Sequence, residues 1–541
     1  MDKKRLIIAV ALSMLVIFAY RSYTTKFYPQ ATPTPQATQI VEGGVPGTLH
    51  QAATTIPTQV RKRIAQDEKT VAIENELYRA VLSDLGAGIK EFYLLKYKDM
   101  DGNPILLSSA EADQPLIYET STTLADDTVS SADDRHAKWT LVEQSDDTVV
   151  YKKESINRII MKRFTFHNTN YIIELQLTII NKQNEALEIG YKIVGGANLI
   201  SKGSLDKRFL GADLQMGDKV IRRRPGKKRI MGGEIFYGSP DWISTKSRYF
   251  TFILKPEQME KAAFIQGSGR KSVYSGVVLG PTRLDSRAQL EHNYVLYAGP
   301  NSPENITFLG PTAGNAINYG ALTGIANILL KGLNFFYKLF GNYGLAIILL
   351  SVLISLILSP LTKKSLQSMK AMQTIQPEVE KIRKDLKDNP QKMNKEVMAL
   401  YKEHKINPMG GCLPLFLQFP VFISLYQVLT RNVALKGAHF LWIKDLSEPD
   451  AAFTLPQTLP IIGNYINILP LLMVGAMVFQ QKLSHPKGSE VSEQQKMMST
   501  IFPIVFGFIF YQLPSGLVLY WLSNTLIMIF LQEVVLKSRK A

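Results

Sequence analysis

Asn407-Pro-Met-Gly-Gly-Cys412-Leu-Pro-Leu-Phe-Leu-Gln418-Phe-Pro420-Val-Phe422 joins a highly charged helical segment to an apolar one. Pro and Gly break helices and a buried Gln needs a partner, so a globular core has little use for such a junction. At the entry to a membrane the same residues make sense. Pro408, Gly410 and Gly411 end a charged helix, and the apolar run after Cys412 begins a span. Gln418 then carries polarity to membrane depth, where it must face protein or water rather than lipid. The expected fold class is a polytopic α-helical membrane protein with a polar feature inside its bundle.

Working outward, apolar segments recur at about 342–361, 413–430, 465–482, 499–513 and 515–535, near the roughly 20 residues a spanning helix needs. Between the first two lies a basic block, 362–408. Leu366, Met369, Met372, Ile375, Val379, Ile382 and Leu386 repeat there at helical spacing before Asp388-Asn389-Pro390 turns the chain. That pattern predicts a helical hairpin of coiled-coil type. Residues 318–340 place Asn327, Lys331, Asn334 and Lys338 on one helix face and Leu329, Leu333, Phe336 and Phe340 on another. An amphipathic helix in the membrane interface fits, and so does a simple lead-in to the next span.

The N-terminal part is of a different kind. Lys3, Lys4 and Arg5 precede the apolar run Leu6–Tyr20, and no small-residue cleavage site follows. An uncleaved signal anchor at 1–22 is therefore favoured over a cleaved signal peptide. Residues 23–68 are rich in Pro, Thr, Gln and Ala and read as a flexible tether. From 69 to 317, short β-like runs such as Tyr171-Ile-Ile-Glu-Leu-Gln-Leu-Thr-Ile-Ile alternate with turn residues, which predicts an antiparallel β-sandwich. Its densely basic stretch, Lys219 to Arg229, reads as a solvated loop before it reads as a site for an acidic partner.

Counting the anchor, the expectation is six spans. The hairpin, Lys482, Lys487 and the tail Lys537, Arg539 and Lys540 fall on the side of Lys3 to Arg5, so both termini are expected to be cytoplasmic. The formal charge of +16 favours anionic partners such as inner-leaflet phospholipid. Cys412 is the only cysteine, so an external domain must rest on its own core without an internal disulfide.

The chain carries no P-loop, dinucleotide fingerprint or GxSxG elbow. Its seven His are not paired at metal spacing, so no cofactor and no metal are expected. The five C-terminal apolar segments hold no Asp or Glu at mid-depth, which disfavours ion-coupled transport. Polar uncharged residues do recur: Ser351, Ser355 and Ser359 four apart, then Gln418 and Gln427, Gln512, and Ser523 with Asn524. Helix–helix packing explains the serines. The whole set equally fits a shared wet groove, because so many polar groups need satisfaction.

Asn407-Pro-Met-Gly-Gly-Cys-Leu-Pro with Gln418-Phe-Pro420, Leu441-Trp-Ile-Lys-Asp-Leu446, and Leu513-Pro514-Ser-Gly516-Leu-Val-Leu-Tyr520-Trp521 resemble the YidC-type membrane protein insertases. Asn342-Tyr-Gly-Leu-Ala-Ile-Ile and Ser359-Pro-Leu-Thr agree with that resemblance, which covers about 340–535. It implies insertion and folding of nascent inner-membrane proteins, alone or beside the Sec translocon, through a hydrophilic groove, with no enzyme chemistry. It also implies a cytoplasmic hairpin that receives the client, a C-terminal region that helps with ribosomes, and a β-sandwich similar to sugar-processing folds. The short tail after Lys537 points to weak or indirect ribosome contact, and no direct nucleic-acid partner is expected. Tyr520 and Trp521 match the family's client-contacting aromatic pair. The family usually has an arginine five residues before the proline of Pro-Leu-Thr, and here that position is Ser355. Two other classes stay open: a passive lipid or small-molecule transporter, separated by its cargo, and a membrane-anchored carbohydrate enzyme, which would need a catalytic carboxylate pair.

Overall fold

The computed structural model describes residues 68–99, 102–111, 114–124, 137–201, 206–225, 233–268, 272–404, 406, 413–459, 463–484 and 493–537. The expected anchor, nearly all of the tether, and the junction holding Pro408, Gly410 and Gly411 lie outside these residues.

The β-region is fully antiparallel. A nine-stranded sheet runs from its edge Lys219–Arg223 through Gly211–Met216, Trp242–Lys246, Phe250–Pro256, Gln289–Pro300, Ile172–Asn181, Arg158–Phe166 and Thr148–Glu154 to Thr140–Gln144. A five-stranded sheet, ordered Glu234–Tyr237, Ala262–Ser268, Ser272–Leu284, Leu187–Gly196 and Thr120–Leu124, supplies the opposing face. A four-stranded meander, Thr70–Ser109, shares the same continuous apolar core. The strands alternate as a sandwich requires: Ile173, Leu175, Leu177 and Ile179 point inward while their neighbours are more exposed.

One inward position breaks the apolar pattern. Lys162 is 0% exposed, yet its Nζ donates to the carbonyls of Gly86, Ala87 and Tyr118 at 3.0, 2.8 and 2.9 Å. A buried ammonium is tolerable only with its protons taken up in this way. Elsewhere, the described part of the basic stretch is a strand, and its arginines have internal partners. Arg222 pairs with Asp213, Arg223 binds Glu234 through two 2.7 Å bonds, and Arg224 reaches the Arg208 carbonyl.

After short helical turns that include Pro303–Ile306, eight longer helices follow among the described residues: α1 (Thr323–Phe340), α2 (Tyr343–Thr374), α3 (Gln376–Asp385), α4 (Pro390–Glu403), α5 (Leu413–Arg431), α6 (Ile468–Ser484), α7 (Glu493–Tyr511) and α8 (Ser515–Lys537). Helix α1 ends on Gly341 at φ 66°, the left-handed conformation that glycine adopts without strain. It has three faces. Ala326, Leu329, Leu330 and Leu333 are buried, Asn327, Lys331, Asn334 and Lys338 form a polar stripe, and Ile325, Ile328, Phe335 and Leu339 are exposed.

The basic block that starts at 362 opens inside a helix. Helix α2 runs on through Pro360 to Thr374, about 48 Å at 1.5 Å per residue, well past a roughly 30 Å hydrocarbon layer. A single proline removes one backbone hydrogen bond and kinks a helix without needing to end it. The break comes instead at Ile375, where Pro377 occupies the first turn of α3. Helices α3 and α4 then close the expected hairpin around Ile375, Val379 and Val397, with Asn389 capping α4 through Lys392 N. The loop after α5 also holds an unforeseen hairpin, Phe453–Leu459 with Gly463–Ile466. Two helical stretches, Tyr343–Met372 and Ser515–Val534, are long and apolar enough to cross a bilayer. Ile468–Leu483 and Ile501–Tyr511 are shorter apolar helices.

Candidate functional site

Helix α8 is the wall that gathers the polar residues. Tyr520 and Asn524 lie four apart, hence on one face of α8. Asn524 Oδ1 accepts from Ser355 Oγ of α2 at 3.2 Å, and Tyr520 Oη accepts from Gln418 Nε2 of α5. The same face therefore binds α2 on one side and α5 on the other. Ser351, one turn before Ser355, is fully buried and spends its hydroxyl on the Ile347 carbonyl at 2.8 Å. Ser359, one turn beyond, is half-buried, and Ser523 is buried beside Asn524.

Further along α5, Ser424 Oγ, Gln427 Oε1 and Thr430 Oγ1 are buried with no hydrogen-bond partner among the described residues. Gln427 is nine residues from Gln418, about two and a half helical turns, so it lies on the opposite face of α5 and the structure does not bring it to the Gln418–Tyr520 contact. Gln512 is not part of the polar seam on α8: it is exposed at the turn between α7 and α8. The seam combines uncharged donors and acceptors with apolar walls, an arrangement that can hold water or peptide groups. No cluster of metal-ligating side chains occurs among the described residues.

The aromatic pair divides. Tyr520 is 1% exposed and faces the seam. Trp521 is half-buried and faces α5 and α7, packing against Phe422, Phe506 and Phe510 at ring separations of 5.1, 5.6 and 5.3 Å. Pro420 sits inside α5, where its missing N–H opens the backbone close to Gln418.

Two sequence motifs turn out to be one contact. Gly516 N donates to Leu446 O at 2.9 Å, Ser515 N to Glu448 O at 2.8 Å, and Ser515 Oγ to Asp445 O at 2.9 Å. A Cβ at Gly516 would come within 3.0 Å of the Leu446 carbonyl, so glycine permits this approach. Buried Pro514 precedes α8 and starts its first turn. Asp450 Oδ2 accepts from Leu469 N at 2.6 Å at the start of α6.

That outer loop is also tied to the β-sandwich, through a residue that the sequence did not single out. Arg248 is 1% exposed. Its Nε donates to Thr430 O and its Nη2 to Ser447 O, both at 2.7 Å, while Nη1 reaches Glu448 at 2.8 Å and Asp206 at 3.3 Å. Burial raises the carboxyls of Asp206 and Glu448 above their ordinary range, and the Arg248 cation partly offsets this. Its flanks, Ser247 and Tyr249, carry no motif that would have marked it.

The comparisons with known proteins agree with this architecture. Residues 335–541 match the family model described as 60Kd inner membrane protein, and residues 70–331 match the YidC periplasmic domain. A curated relative in Geotalea daltonii named membrane protein insertase YidC is 30% identical, covering 100% of both chains. A second of that name in Geotalea uraniireducens is 31% identical, with 99% of each chain covered. A crystal structure of an active YidC insertase with its first transmembrane domain resolved is 19% identical, covering 86% of this chain and 93% of that chain, at TM-score 0.38. Full-length sequence matches, together with a β-sandwich followed by a helical core, decide the family. The chain belongs to the YidC family of membrane protein insertases.

Proposed function

We propose that this chain inserts nascent inner-membrane proteins and assists their folding, using the polar seam on α8 as a hydrated groove. The observation that carries the reading is the pair of interhelical contacts, Ser355–Asn524 and Gln418–Tyr520, that places uncharged polar groups of three helices on one face of α8. Moving an unsatisfied peptide group through hydrocarbon costs several kcal/mol, and a wet recess shortens that path. The client's apolar segment then enters lipid by its own burial, without nucleotide or covalent chemistry.

In this reading the chain crosses the inner membrane six times with both termini cytoplasmic. Helix α1 lies in the interface on its exposed apolar stripe, and the α3–α4 hairpin receives the client. The chain works alone or with the Sec translocon, touches the ribosome weakly, and meets anionic phospholipid through its basic face. Because Ser355 is uncharged and already engaged with Asn524, the groove acts by hydration and hydrogen bonding rather than by attracting acidic segments.

The test is complementation of cells depleted of their own insertase, read by protease protection of short Sec-independent clients with neutral or acidic tails. Insertion of both client types supports the reading. Loss of insertion by a chain that is expressed and membrane-located would overturn it. Ser355→Arg should raise insertion of the acidic-tailed client alone; no change would remove Ser355 from the mechanism.

A further inference from the structure

At the junction of the β-sandwich, α1 and the end of α5 lies a cavity of about 270 Å³. It is smaller than the roughly 300–1,000 Å³ of sites for drug-sized ligands, so it suits a small polar group. Its lining is built from both signs of chemistry. Lys338 and Asn334 come from the polar stripe of α1, Glu304 and Asn301 from the segment after the last sandwich strand, and Asn432 from the turn after α5. Tyr337 closes one side, stacked on Tyr343 at 3.8 Å and 9°.

Two buried side-chain atoms of its lining residues have no hydrogen-bond partner among the described residues: Asn301 Oδ1, an acceptor, and Asn432 Nδ2, a donor. The Asn432 amide is held in orientation, because its Oδ1 accepts from Ala434 N at 3.0 Å. Leaving such groups unpaired costs about 1–3 kcal/mol each. A ligand that satisfies both must present an acceptor and a donor, and Lys338 and Glu304 ask for the matching charges.

We infer that this cavity takes the phosphate and ammonium of a zwitterionic phospholipid head of the phosphoethanolamine type. Lys338 and Asn432 face the phosphate, and Glu304 and Asn301 face the ammonium. The acyl chains follow the exposed stripe Ile325, Ile328, Phe335 and Leu339 of the same helix. A purely anionic head would leave Asn301 unpaired and meet Glu304 as a like charge. The lipid source rests on the interfacial placement of α1 proposed above.

The experiment uses the purified full chain in detergent, with binding of dioctanoyl phosphatidylethanolamine, dioctanoyl phosphatidylglycerol and soluble phosphoethanolamine measured by native mass spectrometry. The zwitterionic lipid should bind at least tenfold tighter than the anionic one. Lys338→Gln, on an exposed side chain, and Asn432→Asp, which keeps the turn cap, should each weaken it about tenfold. Equal binding of the two lipids, or unchanged binding in both variants, would overturn the site. Soluble phosphoethanolamine binding as tightly as the lipid would overturn the lipid source. Client insertion is measured in parallel in vesicles with and without phosphatidylethanolamine. Insertion without selective lipid binding sinks only this site, whereas selective binding without insertion sinks only the functional reading.

Discussion

Arg248→Ala should unlock the β-sandwich from the helical core. The arginine is buried and gives four hydrogen bonds: two 2.7 Å bonds to the carbonyls of Thr430 and Ser447, and one each to Glu448 and Asp206. Hydrogen bonds to a charged group are worth about 1.5–3 kcal/mol each, so the two carbonyl bonds alone give about 3–6 kcal/mol. Breaking a buried ion pair by removing one partner costs about 3–5 kcal/mol, and the two figures agree. The side chain also packs over the Tyr249 ring at 4.5 Å, which alanine would forfeit. For a region of this size each kcal/mol lowers a midpoint by roughly 2–4 °C, so the deficit should read as about 6–24 °C.

The assay is thermal unfolding of the full chain in detergent, with limited proteolysis reporting separation of the sandwich from the helices. Acidity supplies an internal check. Asp206 and Glu448 have folded-state pKa values raised by burial, so their protonated forms contribute stability below the ordinary carboxylate range, and that contribution is lost as pH rises. Without Arg248 the penalty of charging them grows. The variant's deficit should therefore shrink between about pH 8 and about pH 5. Arg248→Lys, which keeps the charge but not the fork, should fall between parent and alanine variant. A midpoint within about 2 °C of the parent, with unchanged proteolysis, would refute the reasoning, because a pin worth 3 kcal/mol or more cannot be silent.

Gly516→Ala should destabilise the core by about 1–3 kcal/mol, since the new methyl meets the Leu446 carbonyl at 3.0 Å and Ile347 Cδ1 at 3.2 Å; a denaturation midpoint in detergent measures it. Lys162→Met should cost the β-sandwich about 2 kcal/mol or more by taking the ammonium donor from the buried Gly86 and Ala87 carbonyls, while Tyr118 O keeps Thr120 Oγ1 at 3.4 Å; an unchanged unfolding curve in urea would contradict that. A third test concerns His292, Tyr191, Tyr294 and Glu260, which form one hydrogen-bonded chain in the sandwich. Burial lowers His292 below its ordinary value, so its stabilising contribution is lost as pH falls through about 6.5, while Glu260, raised by burial, acts in the opposite sense. Midpoints recorded from about pH 8 to about pH 5 should fall less in His292→Asn and more in Glu260→Gln. An identical slope in His292→Asn and parent would remove the histidine from the account.

What the sequence by itself determined was the succession of elements, because hydrophobic period and turn chemistry are local. The alternating runs became sandwich strands, the apolar segments became helices α2 and α5 to α8, and the Asp388–Pro390 turn separated α3 from α4. Pro377 sits in the first turn of α3, just after α2 ends at Thr374, as proline's fixed φ and missing N–H allow. Tertiary structure decided which polar groups meet. Spacing placed Ser351, Ser355 and Ser359 on one face, but only packing gave Ser355 to Asn524 and Gln418 to Tyr520, and sent Gln512 to an exposed turn.

The same holds for Lys162 and Arg248. Each looks like an ordinary surface cation in its sequence neighbourhood, and each is buried because carbonyls and carboxylates far along the chain converge on it. Periodicity reports the side on which a residue lies. It carries no information about a partner 182 residues away, as Thr430 is from Arg248, since that contact exists only once both domains have folded.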